Sequence, residues 1–285
     1  MPMPRRPLLA TLGALLASAC SPVSVLNAMA PRDGVQAATD LTYAAGGRGG
    51  VDVYAPADAR DAPVVMFLYG GGWEGGDRGM YRFVGASLAA GGVVCMIPDY
   101  RVYPEVRFPT FVEDAARAVA WGHAHAAEHG GSPERMMLMG HSAGAHIAAM
   151  LALNPVFLRG EGLDPAMLKG VIGLAGPYDF LPLRTRQLRA IFGTEAQWPA
   201  SQPVNFVTPG APPMLLATGN QDSVVLPRNS ESLAAAMLRV AAPVRSIVYP
   251  GLGHSEVVGA LGRPFRFVAP VRADVLRFVA ERAAA

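Results

Sequence analysis

The chain has 285 residues, 51 % of them hydrophobic and 16 % charged, which is enough apolar material to bury one large core and rules out a disordered composition. With 24 basic against 22 acidic residues the net charge is +2, and no basic stripe stands out, so nucleic acid is not an expected partner. The two cysteines imply no disulfide framework, since Cys20 lies near the start and Cys95 sits inside the apolar run Val93–Ile97, where it reads as a small hydrophobe.

In chain order, Arg5 and Arg6 precede a short apolar stretch from Pro7 to Cys20. A basic segment before an apolar run too short to span a bilayer is the grammar of an export leader. Residues 1–30 are therefore read as a leader. The paired arginines allow a twin-arginine route. Ala17-Ser18-Ala19-Cys20 resembles a bacterial lipobox, with Ala17 where Leu is usual, and would leave a lipidated Cys20 as membrane attachment. Cleavage after Ala30 is the alternative. The expected location is thus exported: periplasmic, or anchored as a lipoprotein, or secreted. Residues 31–49 read as a tether, and the folded domain is expected over 50–285.

Val51–Tyr54 alternates with period two, as a half-exposed strand does. Val64–Tyr69 and Val93–Ile97 are continuous apolar runs, the pattern of buried strands. The first runs into Gly70-Gly71-Gly72-Trp73. Consecutive glycines let backbone N–H groups turn inward together. No G-K-[ST] follows, which excludes a P-loop. Phe111–Glu128 keeps helical spacing after Pro109. At its end, His125 and His129 are four apart, but a solvated helix face outweighs a shared metal there.

Met136–Met139 reads as a short strand entering Gly140-His141-Ser142-Ala143-Gly144, and Ser142–Leu153 as a helix apolar all round. G-x-S-x-G between strand and helix lifts a serine hydroxyl out of a sheet, making Ser142 the candidate nucleophile. Val171–Leu174, Met214–Ala217 and Arg245–Tyr249 are further strands; Ser230–Val240 and Val271–Ala280 are helices. The proline-rich stretch 178–213 breaks this rhythm and reads as a small cap. Strands alternating with helices imply an α/β fold with a mostly parallel sheet covered on both faces.

A serine hydroxyl needs a base. Downstream of Ser142 stand only His146, within the buried helix, and His254, in a glycine-rich loop after the last strand; His254 is the candidate base. Asp222 follows a strand by a short turn and is preferred to Asp179 as the acid that orients the imidazole. The N–H groups of Gly71, Gly72 and Ala143 are the candidate oxyanion donors. Tyr69, Trp73 and His141 are candidates to touch substrate, and Trp198 and Phe192 are weighed against ordinary packing.

Tyr69-Gly70-Gly71-Gly72-Trp73, Gly76-Asp77, Pro98-Asp99-Tyr100-Arg101, Phe108-Pro109, Glu113-Asp114, Gly140–Gly144, Asp222 and Gly251–His254 together resemble the hormone-sensitive-lipase-like and feruloyl-esterase-like branch of the α/β-hydrolases, which includes kynurenine formamidases. The branch has His where this chain has Tyr69, a residue that braces the glycine loop. The resemblance implies the α/β-hydrolase fold and a carboxylesterase activity without cofactor; the modest cap points to small esters with short or aromatic acyl groups, and no metal is expected. Two other readings stand beside it: an amidase or arylformamidase using the same triad, and an exported binding protein that keeps the fold without catalysis. Asp99, Tyr100, Arg101 and Asp114 are expected to brace the nucleophile turn.

Overall fold

A computed structural model describes residues 21–285. The sheet has eight strands: β1 (Val35–Thr42), β2 (Gly50–Pro56), β3 (Ala62–Leu68), β4 (Val94–Pro98), β5 (Gly131–His141), β6 (Gly170–Leu174), β7 (Met214–Gly219) and β8 (Val244–Tyr249). Their spatial order is β1-β2-β4-β3-β5-β6-β7-β8. The β1–β2 and β2–β4 pairs are antiparallel and all others parallel. The helices are α1 (Pro22–Ala28), α2 (Arg82–Ala89), α3 (Thr110–His125), α4 (Ala143–Leu153), α5 (Pro155–Gly160), α6 (Arg186–Phe192), α7 (Arg228–Arg239), α8 (His254–Gly259) and α9 (Val271–Ala283).

The core lies where the sequence is most apolar. Every residue of β4 and β7 and all eleven of α4 are buried, so α4 needs no polar face. The parallel strands carry their functional turns at one end of the sheet, beyond the carboxyl ends of β3, β5 and β7. Between β6 and β7 the segment 178–213 carries α6 and two 3₁₀ turns.

Several expectations are corrected. The supposed tether contains β1, an edge strand paired on one side only, so most of its residues stay at least partly exposed. Its small and polar residues gave no apolar alternation; backbone pairing with β2 holds it instead. A bulge between Ala38 and Leu41 puts Asp40 at φ 60°, and its N–H donates to the Asp52 carboxylate at 2.9 Å. The strand at Val51–Tyr54 is buried on both faces, because its polar member Asp52 is sealed by the Arg78 guanidinium at 2.8 Å. The strand expected at Met136–Met139 is eleven residues long. The long helix expected over Phe111–Glu128 ends at His125 and tightens into a 3₁₀ turn over Ala126–His129.

Folded structure also begins well before residue 50. Ser21 caps α1 by accepting the Ser24 N–H, Pro22 occupies the first turn, and Leu26 is buried. Asn27 ties the helix down, donating to the Gly79 carbonyl at 2.9 Å and accepting the Phe83 N–H at 3.0 Å. Residues 1–20, with the arginine pair and Cys20, lie outside the described part.

Candidate active site

The nucleophile turn is shaped by missing side chains. A Cβ on Gly140 would lie 2.3 Å from the Gly144 carbonyl carbon and oxygen, and one on Gly144 would lie 2.0 Å from the Leu68 carbonyl oxygen. Neither contact is tolerable, so only glycine lets β5, α4 and β3 approach so closely. Ser142 between them has φ 54° and ψ −123°, a strained conformation for a non-glycine residue, fixed by its N–H donating to the Leu174 carbonyl at 2.9 Å.

His254 opens α8 and points both ring nitrogens at partners. Nδ1 is 2.8 Å from Asp222 Oδ2, and Nε2 is 2.9 Å from Ser142 Oγ. A carboxylate only accepts, so Nδ1 carries the proton and the Nε2 lone pair faces the serine hydroxyl. The Asp222 side chain is fully buried, and its other oxygen accepts the N–H groups of Val224 and Val225 at 2.9 and 2.8 Å. The two loops are stitched together: Gln221 N–H donates to the Leu252 carbonyl at 2.9 Å, and Gly251 N–H to Asn220 Oδ1 at 2.8 Å. The structure therefore brings Ser142, His254 and Asp222 into one hydrogen-bonded line. Asp179, the rejected competitor, is engaged by the Ser232 hydroxyl.

The glycine loop lies against this line. Gly71 has φ 143° and Gly72 φ 63°. The Gly71 carbonyl turns outward and accepts the N–H groups of Glu74 and Gly75, both at 3.0 Å. Among the described residues no backbone acceptor takes the N–H of Gly71 or Gly72. Ala143, the first residue of α4, likewise has no helical partner for its N–H, and the helix end favours negative charge.

Of the residues expected to touch substrate, Tyr69 and Trp73 are both engaged by partners within the protein. Tyr69 is fully buried, stacked on Tyr100 at 4.5 Å. Its hydroxyl donates to Asp99 Oδ1 at 3.1 Å and accepts from Arg48 Nη1 at 3.2 Å. The phenol thus braces the glycine loop from below, and burial with the nearby Asp99 charge pushes its pKa far above the ordinary tyrosine range. Trp73 is also buried; it donates to His146 Nδ1 at 3.3 Å and packs edge-on against Phe192 at 4.8 Å, which moors the loop to the cap. Trp198 stays within the cap, donating to the Gly193 carbonyl at 2.9 Å.

His141 is different. Its Nε2 donates to the carbonyl of His254 at 3.1 Å, its Nδ1 is buried without a partner among the described residues, and it borders a cavity. Burial, helped by His254, lowers its pKa to about 3 and keeps it neutral. Burial lowers His146 to about 4, with Nε2 donating to the Ser201 carbonyl at 2.8 Å. His125 Nδ1 lies 2.8 Å from the Trp121 carbonyl, and its ring stacks on that indole at 4.4 Å.

Asp99, Tyr100, Arg101 and Asp114 sit behind the site. Arg101 grips Asp114 through Nε and Nη2, both at 2.8 Å, and Tyr100 donates its hydroxyl to the Tyr69 carbonyl. Sequence reasoning missed Arg48 and Arg78. Arg78 meets Asp40, Asp52 and Asp99 at once, joining β1 and β2 to the turn after β4. No local signal marks such a brace, because its members come from separate strands and loops. Helix α1 was missed because its apolar residues continue the leader-like run.

A Ser-His-Asp line on a strand-to-helix turn, in this sheet order, defines an α/β-hydrolase fold with the machinery of a serine hydrolase. The chain belongs to the BD-FAE family, which matches residues 51–237, about two thirds of its length. It is 31 % identical over 245 residues to a probable isoprenylcysteine alpha-carbonyl methylesterase of Oryza sativa, covering 78 % of this chain and 58 % of that protein. It is 31 % identical over 226 residues to the esterase LipC of Mycobacterium tuberculosis, covering 72 % and 56 %. The chain thus spans a little over half the length of these curated relatives. A thermophilic esterase from Thermogutta terrifontis, solved with propionate bound, superposes with TM-score 0.72 at 25 % identity, covering 87 % of this chain and 94 % of that one.

Proposed function

We propose that the protein is a carboxylesterase that cleaves small esters through an acyl-enzyme. The observation that carries this reading is the pair of distances at His254, 2.9 Å to Ser142 Oγ and 2.8 Å to Asp222 Oδ2, beside glycine-loop N–H groups that no backbone acceptor takes among the described residues. His254 Nε2 takes the hydroxyl proton as Oγ attacks the ester carbonyl carbon. The carbonyl oxygen becomes an oxyanion held by the N–H groups of Gly71, Gly72 and Ala143. Asp222 stabilises the imidazolium and its tautomer. The C–O bond to the alcohol breaks, and the alcohol leaves with the proton from Nε2. Water, deprotonated by His254, attacks the acyl-enzyme, and the acid departs as Oγ regains its proton. The relatives named as esterases support the bond type.

Ser142→Ala should lower hydrolysis of p-nitrophenyl butyrate by at least about 10³-fold without changing the melting temperature by more than a few degrees. A fluorophosphonate probe should label the unsubstituted protein at Ser142. A chain that neither labels nor turns over esters would be a binding protein, and one that favours N-formylkynurenine over the ester would be an arylformamidase.

We further propose export with processing before Cys20, which would anchor the enzyme through a lipid. Cleavage there leaves α1 intact, whereas cleavage after Ala30 would strip a helix whose Leu26 is buried and whose Asn27 bonds Gly79 and Phe83. Mass spectrometry of the mature N-terminus tests this: a chain starting at Pro31 would overturn it.

A further inference from the structure

A cavity of about 550 Å³ lies between α1, the 3₁₀ turn over Arg78–Tyr81, the loop before His254 and α8. Its walls are hydrocarbon: Val23 and Leu26 from α1, Met80 and Phe83 opposite, Leu252 and Val258 from the histidine side. That volume lies within the roughly 300–1,000 Å³ of small-molecule sites. Its polar lining residues neighbour the catalytic residues in the chain. His141 precedes the nucleophile, and Ser255 and Glu256 follow the base; all three line the cavity. Phe265 and Val268 also line it while still 37 % and 42 % exposed, so part of its rim is apolar and reaches solvent.

From this we infer that the cavity walled by α1 and α8 is a subsite for an aliphatic chain carried by the ester substrate, so that the segment before residue 30 selects substrate. The inference rests on the reading of Ser142 as an ester-cleaving nucleophile. A chain entering past the apolar rim leaves water along its length, and its ester group would lie towards His141, whose ring stands 4.9 Å from that of the base His254. Each methylene moved out of water in this way is worth about a factor of four in kcat/KM.

Gly259 provides the test. It lines the cavity in α8, and a Cβ built on it meets nothing within 4 Å, so a larger side chain there grows into empty space. Rates are compared for octyl acetate and ethyl octanoate, which place the same chain on the alcohol or the acyl side, each relative to ethyl acetate. Gly259→Phe should lower the octyl acetate or the ethyl octanoate ratio at least tenfold, and the isomer that suffers identifies the side the cavity serves. Met80→Trp, from the opposite wall, should do the same and decides the matter if Gly259→Phe is inactive towards every ester. Ratios that stay within twofold of the unsubstituted protein for both isomers would overturn the inference. If the unsubstituted protein cleaves no ester, the hydrolase reading fails by itself. The cavity is then judged by saturation-transfer NMR of 1-octanol on Ser142→Ala, where a signal that Gly259→Phe abolishes supports the subsite and its persistence or absence in both refutes it.

Discussion

The two halves of the candidate active site are held by opposite means. Ser142 and the glycine loop are shaped by exclusion: β3, β5 and α4 approach until a Cβ at Gly140 or Gly144 would sit 2.0–2.3 Å from backbone atoms. His254 and Asp222 are held by bonds: the imidazole has a partner on each nitrogen, the carboxylate has partners on both oxygens, and the His254 carbonyl accepts from His141. A half built by sterics can be broken only by adding atoms, and a half built by hydrogen bonds by changing a single one.

The largest effect is expected in the bonded half. Asp222→Asn preserves shape but presents an amide to His254 Nδ1, which favours the tautomer with the proton on Nε2 and removes the acceptor for the serine hydroxyl. Ester turnover should fall by about 10⁴-fold in kcat with little change in KM. A loss below tenfold would mean that the carboxylate does not set the tautomer and that the two halves are less unlike than the bond network indicates.

The steric half should respond to one added methyl. A Cβ on Gly71 would lie 2.1 Å from the Gly75 carbonyl oxygen, at a φ of 143° that side chains rarely adopt. Gly71→Ala must therefore shift the loop and misaim its donors, costing about 10²–10³-fold in kcat, the scale of one oxyanion contact. Stopped-flow measurement of acylation with p-nitrophenyl butyrate isolates the step; unchanged acylation would remove Gly71 from the oxyanion assignment. Behind both halves, Asp114→Ala strips the acceptor from the Arg101 guanidinium and from its backbone N–H. Because the Arg101 side chain is 39 % exposed, the cost should be about 2 kcal/mol, below that of a fully enclosed pair, read as a shift in the urea midpoint.

The same division explains what the sequence made legible. Steric exclusion leaves a local signature: glycines at fixed spacing around Ser142 and after Leu68 can be read without coordinates. The bonded half was reached through chain order, which singles out His254 and Asp222 without describing the carbonyl of Leu252 that stitches their loops. Contacts made by long-range pairing left no trace. The exposed edge strand β1 lacks apolar alternation, α1 merges with an apolar leader-like run, and Arg78 gathers carboxylates from β1, β2 and the Asp99 turn. The substitution of Tyr69 for the family histidine was visible as a departure, but only the stacking on Tyr100 and the bond to Asp99 show that the phenol supplies a brace from the same position.

His141 belongs to both halves, since it sits in the glycine-flanked turn yet donates to the His254 carbonyl. Its pKa of about 3 lies below the ordinary histidine value of 6.5. As pH falls below 6.5 the unfolded chain takes up a proton at this residue while the folded protein does not until about pH 3. Folding stability is therefore lost with acidification through that window, at a limiting slope of about 1.4 kcal/mol per pH unit from this one group. His146, held down to about 4, adds to the slope in the same direction. His141→Gln can still donate an amide N–H to the His254 carbonyl but does not titrate, so the variant should gain stability relative to the unsubstituted protein as pH falls from 6.5 towards 4. Its kcat at neutral pH should stay within about threefold, whereas His141→Leu, which titrates no more than Gln but cannot donate, should share the flatter acid slope and lose about fivefold in kcat, the worth of about one hydrogen bond. Urea titrations of the three proteins at half-unit pH steps separate these effects. Parallel stability curves would show that His141 takes up its proton in the folded protein as readily as in the unfolded chain, and equal kcat values for Gln and Leu would show that the bond to His254 does not position the base.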